Sequence, residues 1–112
     1  MSIDYFNELN VAVTISDKEG IIVYMNKKAI KTFESYGGEK LIGQSLFSCH
    51  NENSVKIIKE LMAESKTNSY TIEKNGIKKM IYQTPHFVNG ICEGLIEFSM
   101  EIPVEMPHFI RK

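Results

Sequence analysis

The sequence predicts an α+β fold, a five-stranded antiparallel sheet with short helices packed on one face, and three observations carry that prediction. Two short apolar runs flank Asp17-Lys18-Glu19-Gly20 near the start, a stretch of helical periodicity fills the middle, and Asn75-Gly76 and Asn89-Gly90 punctuate three β-rich segments at the end. A length of 112 residues with 43% hydrophobic and 24% charged side chains is one ordinary globular domain, which excludes disorder and collagen-like repeats. The net charge of −1 supplies no field for a polyanion, so nucleic acid is not expected as a partner. No apolar run approaches the ~18 residues of a spanning helix, and Met1-Ser2-Ile3-Asp4-Tyr5 lacks the basic start of a secretory signal. No membrane partner and a cytoplasmic location are therefore expected. In that compartment Cys49 and Cys92 read as free thiols.

Residues Val11 to Ser16 alternate Val11, Val13 and Ile15 with Ala12, Thr14 and Ser16, the period of a half-buried strand. Ile21 to Met25 is short and rich in β-branched and aromatic residues, so it forms the second arm of a hairpin. Asn26 stands where its side-chain oxygen caps a short helix carrying Ala29, Ile30 and Phe33 on one face, and Gly37-Gly38 ends that segment. Glu39 to Gly43 continues as a short helical or irregular connection. Val55, Ile58, Leu61 and Met62, at spacings of three and four, mark an amphipathic helix that Asn51 or Asn53 caps. Tyr70 and Ile72 belong to a third strand, Ile77 to Thr84 to a fourth, and Cys92 to Ile102 to a fifth, with the Asn-Gly pairs as tight reversals between them. In the fifth, Cys92, Ile96, Phe98, Met100 and Ile102 are expected on the core face, and Glu93, Glu97, Ser99 and Glu101 on the wet one. The division is 1–10 as an N-terminal cap or dimerisation segment, 11–103 as the domain, and 104–112 as a tail that Pro103 and Pro107 keep from being a continuous helix.

Asp17-Lys18-Glu19-Gly20, the apolar strand, and Asn26-Lys27-Lys28-Ala29 resemble the opening of a PAS domain, a small sensory and interaction module of signalling proteins. Leu41-Ile42-Gly43-Gln44-Ser45-Leu46 is similar to its middle segment. Pro85 with Asn89-Gly90, then Gly94-Leu95-Ile96-Glu97-Phe98, is similar to its ending. Cys49-His50 before the main helix resembles a prokaryotic subgroup. The family's common Trp and its terminal Asp-Ile-Thr are absent, the chain reading Glu101-Ile102-Pro103 instead. The resemblance implies the PAS fold and a signalling role without catalysis. Occupancy by a small molecule, or association as a homodimer, would be passed to a kinase, a cyclase or a transcriptional regulator.

His50 is the titratable residue of most interest. Capping or loop packing is the first reading, another ligand contact the second, and haem ligation, which the resemblance implies for some relatives, the third. Cys49 reads as a structural thiol, with a redox-sensitive thiolate as the alternative. Cys49, His50, His86, Cys92 and His108 lack the spacing of a metal site, so neither metal nor any other cofactor is assigned. No phosphate loop or nucleophile elbow is present, and an enzyme is not expected. Phe33, Phe47, His50, Ile58, Met62, Tyr82, Ile96 and Phe98 are the candidates for the space between helices and sheet. That space is expected to be filled by aromatic and Met side chains, an open pocket being the alternative. Tyr5, Phe6 and Leu9, on a short N-terminal helix, are the interface candidates.

Overall fold

The structure is a computed structural model that describes residues 2–112 and, at Cys49, the backbone alone. Five strands, β1 (Ala12–Asp17), β2 (Ile22–Met25), β3 (Asn68–Lys74), β4 (Ile77–Val88) and β5 (Ile91–Ile102), form one sheet in the order β2-β1-β5-β4-β3, every pair antiparallel. Between β2 and β3 run α1 (Lys27–Thr32), two 3₁₀ turns (Glu34–Tyr36 and Gly38–Leu41), α2 (Leu46–Cys49) and α3 (Glu52–Glu64). The fold class expected from the sequence is the one observed.

Local chemistry sets the ends of these elements. Each α-helix is capped by a side chain: the Asn26 oxygen accepts from Ala29 N–H, Ser45 from Phe47 N–H and Asn51 from Ser54 N–H. Asn51, of the two candidates, is therefore the cap of α3. Asn75 (φ 53°) and Gly76 (φ 78°) both adopt the left-handed conformation, which closes a two-residue hairpin whose twist matches its strands. β4 runs past the expected end at Thr84 to Val88. β3 stops pairing at Asn68↔Gln83, so Pro85 lies where β4 has a neighbour on one side alone and no ladder donor is lost there.

Two bulges decide which residues face the helices. Thr14 pairs with Met25 and Ile15 with Tyr24, but Ser16 pairs with Ile22, so Val23 is an extra residue. Ile22 and Met25, three apart, can then both face inward, where they form a buried cluster with Ala12 and Ala29. The second bulge falls between His86↔Gly94 and Phe87↔Cys92, leaving Glu93 unpaired. A second cluster joins Ile58 and Leu61 of α3 to Leu95, with Leu46, Phe47 and Met62 packed against it. Burying a side chain the size of Ile58 or Leu61 contributes roughly 1.5–3 kcal/mol.

The N-terminal segment is a pair of hydrogen-bonded turns, Asn7 N–H to Asp4 O and Leu9 N–H to Phe6 O, and not the short helix expected. Three hydrogen bonds tether it: Asn26 Nδ2 donates to Phe6 O at 2.7 Å, Tyr24 Oη donates to Asp4 Oδ2 at 2.6 Å, and Lys27 N–H donates to Asn7 O at 3.1 Å. Desolvation and the neighbouring Asp4 push the Tyr24 phenol up to about 12. Residues 103–112 are exposed and form neither helix nor strand, with a bend at Val104–Glu105. Among the described residues no helix is long and apolar enough to cross a membrane.

Candidate ligand-binding site

Strand register assigns the inner face. Ala12↔Ser99, Thr14↔Glu97 and Ser16↔Leu95 join β1 to β5, while Ile81↔Ser99, Gln83↔Glu97 and Pro85↔Leu95 join β4 to β5. Because alternate residues share a face, Thr14, Ser16, Gln83, Glu97 and Ser99 all lie on the face that Ala12 and Leu95 present to the helices. The inner surface of the sheet is therefore largely polar. Above it lies a hollow of about 440 Å³, walled by Ile22, Met25, Phe33 and Leu41 on one side and by Ile58 and Leu95 on the other. It lies between the two apolar clusters, which Leu46 touches together, so side chains leave part of the space between helices and sheet unfilled. A second chamber of about 550 Å³ opens beside it toward β3, and Phe33, Tyr36, His50, Ile58, Gln83 and Glu97 line both.

A polar relay stands at that junction. Asn68 Nδ2 donates to Gln83 Oε1 at 3.1 Å, and Gln83 Nε2 donates to Glu97 Oε2 at 2.9 Å. Burial raises the Glu97 carboxyl above its ordinary value, against the lowering effects of the Gln83 hydrogen bond and of His50. The Tyr70 phenol is also raised, by burial and then by the charge of Glu97. His50 caps the C-terminal end of α2, its Nδ1 lying 2.8 Å from Leu46 O, as the packing reading expected, and its ring also reaches both chambers.

The residues singled out from the sequence divide into two groups. Phe33, His50 and Ile58 line the hollow. Phe47 and Met62 instead pack against the Ile58–Leu61–Leu95 cluster, and the Lys59 ammonium lies 4.8 Å from the Phe47 ring centroid. Tyr82, Ile96 and Phe98 lie on the opposite face of the sheet, where Tyr82↔Phe98↔Val13 and Ile96↔Ile15 pair across the strands. This corrects the assignment of faces in β5 beyond its bulge: Ile96, Phe98, Met100 and Ile102 point away from the helices, and Glu97 and Ser99 point toward them. Strand periodicity separates two faces without saying which one the helices cover. Counting back from the Asn89-Gly90 turn would pair Gln83 with Ile96; the bulge at Glu93 moves the partner to Glu97. Thr14, Ser16, Asn68, Gln83 and Glu97 were missed for that reason, and the register with its bulge is the signal that finds them.

The Cys49 side chain, and with it the thiolate reading, lies outside the described residues. Cys92 is a free thiol. No group of three metal-binding side chains occurs among the described residues. Of the residues a haem would use, His50 lines the hollow with its Nδ1 against Leu46 O, and Glu97 would set a carboxylate beside the porphyrin's own acidic groups.

A model of the family described as PAS domain matches residues 10–91 of the chain. The chain belongs to the PAS domain family. Solved PAS structures share its fold at low identity. The PAS domain of the histidine kinase ThkA is 20% identical with a TM-score of 0.66, over 82% of this chain and 99% of that one. The Aer2 receptor from Vibrio cholerae, described as a dual PAS-heme oxygen sensor, is 16% identical with a TM-score of 0.62, over 82% and 94%. VqmA, also known from Vibrio cholerae and solved bound to DPO, is 16% identical with a TM-score of 0.68, over 88% of this chain and 55% of that VqmA chain. No curated protein sequence matches the chain.

Proposed function

We propose that this PAS domain is a cytoplasmic sensory module that converts occupancy of its hollow by a small molecule into altered contacts with a signalling partner, without catalysing a reaction. The observation that carries the reading is the Gln83–Glu97 pair, held by Asn68, turned into a hollow of about 440 Å³. A closed structural core would place apolar side chains there; convergent polar groups in an otherwise apolar cavity are the mark of a ligand site. The partner class is a histidine kinase, a cyclase or a transcriptional regulator. ThkA and VqmA, which share the fold, support the first and last of these.

Native mass spectrometry of the protein purified from its own host tests the reading. A reproducible added mass that disappears on Ser16→Phe, which fills the hollow, is the expected result. A clean apo mass with concentration-dependent dimerisation would instead establish a ligand-free interaction module. That second reading has its own support, because Tyr5, Phe6 and Leu9 are exposed on the tethered N-terminal turns, where a homodimer can cover them. Phe6→Asp should then convert dimer to monomer in light scattering, and an unchanged mass would remove the N-terminal segment from the interface.

A further inference from the structure

The environment of Glu97 narrows the chemistry of the ligand, an inference that rests on the hollow being a small-molecule site. An ionised carboxylate offers about four acceptor positions. The hydrogen bond described for Glu97 is the single one from Gln83 Nε2, and Gln83 is oriented for it by Asn68, so the Gln83–Glu97 pair is a built feature. The charged and titratable groups that line the inner hollow are Glu97, His50 and Tyr36. His50 presents Nδ1 to Leu46 O. The remaining groups lie in the outer chamber: Tyr70 on β3 carries no positive charge, and Lys79 stands opposite Glu101 in the β4–β5 register. Lys79 is also four residues along β4 from Gln83, roughly 13 Å at strand rise.

We propose that the hollow takes a small aromatic nitrogen base as its cation, an amidinium or a protonated amino-heterocycle, whose N–H groups donate to Glu97 beneath the rings of Phe33 and Tyr36. A carboxylate held away from water is costly alone and stabilised by a hydrogen-bonded cation, so the binding free energy depends on ligand charge. An anionic ligand would bury two like charges side by side or force a proton onto Glu97, and a neutral one offers the ionised carboxylate no counter-ion, so a cation is the ligand that favours the ionised form. The aromatic rims favour the same choice, since ring faces attract cations and pack flat against planar ligands. The raised carboxyl agrees with a site that lacks a full charge partner until a cation enters.

Three probes of one shape and three charges test this: benzamidine, benzamide and benzoate, titrated into the ¹⁵N-labelled full chain and into Glu97→Gln. Benzamidine should shift the amides of Thr14, Gln83 and Glu97 and bind at least about tenfold tighter than benzamide, the scale of one charge-assisted hydrogen bond. Benzoate should shift none of them, and Glu97→Gln should erase the preference for benzamidine. Equal or tighter binding of benzamide or benzoate, or full benzamidine affinity in Glu97→Gln, overturns the cation assignment and leaves the hollow standing as a ligand site. Silence from all three probes overturns the assignment together with the small-molecule reading beneath it.

Discussion

Asn26 and Glu97 are both polar, the first fully buried and the second half-buried, and their hydrogen bonding differs. The Asn26 side chain is fully buried and fully used: Oδ1 accepts from Val13 and Ala29 N–H, both at 2.9 Å, and Nδ2 donates to Phe6 and Val11 carbonyls. It ties β1, α1 and the N-terminal turns at one point, which a helix cap by itself would not require. Asn26→Ala strands buried partners on three segments and should cost on the order of 3 kcal/mol in urea unfolding. Glu97 has the opposite character. Its folded carboxyl is raised, so the fold favours the neutral form; its contribution to stability is fullest in acid, below the ordinary carboxylate value, and is lost as pH rises through the folded one. Glu97→Gln carries no such proton. Its melting midpoint should match the wild type in acid and exceed it increasingly toward higher pH, and an advantage that shrank with rising pH would show that Glu97 is stabilised as the anion. The cap at Asn26 was legible in the sequence because capping is decided within one helical turn. The site at Glu97 was not, because it depends on pairing between residues fourteen apart across a bulged hairpin.

The elements themselves were largely readable, since turn chemistry and periodicity are local properties; the bulges at Val23 and Glu93 were not, since each is fixed by what the neighbouring strand must bury. The central pairing of β1 with β5 shows how tightly that constraint operates. Gly94, at φ 151°, sits opposite Asp17, and a Cβ built on it would run into the carbonyl oxygen of Ser16. The contact is backbone against backbone, so no side-chain rotation relieves it. Gly94→Ala must separate β1 from β5 or break the strand, which would also displace Leu95 from the α3 cluster and Glu97 from Thr14. Its cost should exceed about 4 kcal/mol, beyond the usual range for a single substitution. Loss of the cooperative thermal transition in circular dichroism is the expected outcome; a folded variant within about 1 kcal/mol of wild type would show that the strands adjust freely at this point.

At the scale of the whole molecule both faces of the sheet carry apolar side chains: Ala12, Ile22, Met25 and Leu95 pack beneath the helices around the polar Thr14, Ser16, Gln83 and Glu97, and a second apolar set faces away from them. Val13 on the outer face is fully buried, but Tyr82 is exposed and Ile15, Ile96, Phe98 and Met100 are half-buried. Tyr24, paired with Ile15 and therefore on this face, holds Asp4, so the N-terminal turns carrying Phe6 and Leu9 border the same surface. A contiguous apolar surface of this kind is stabilised by a second copy that covers it. If sheet face and N-terminal turns form one isologous interface, Phe98→Lys and Phe6→Asp should each weaken self-association in sedimentation velocity, and the double variant should do no more than complete the dissociation. Phe98 is half-buried within the monomer, so Phe98→Lys also loses packing there, a cost of about 1–3 kcal/mol that thermal unfolding measures separately from association. Dissociation by Phe6→Asp with Phe98→Lys still dimeric would confine the interface to the N-terminal turns. The reverse result would confine it to the sheet. Because Glu97 and Phe98 are consecutive residues of β5 facing opposite sides, such an interface lies one strand's thickness from the hollow. Occupancy that shifts β5 would then be felt at the partner surface, and benzamidine should alter the dimer constant of the wild type while leaving that of Glu97→Gln unchanged.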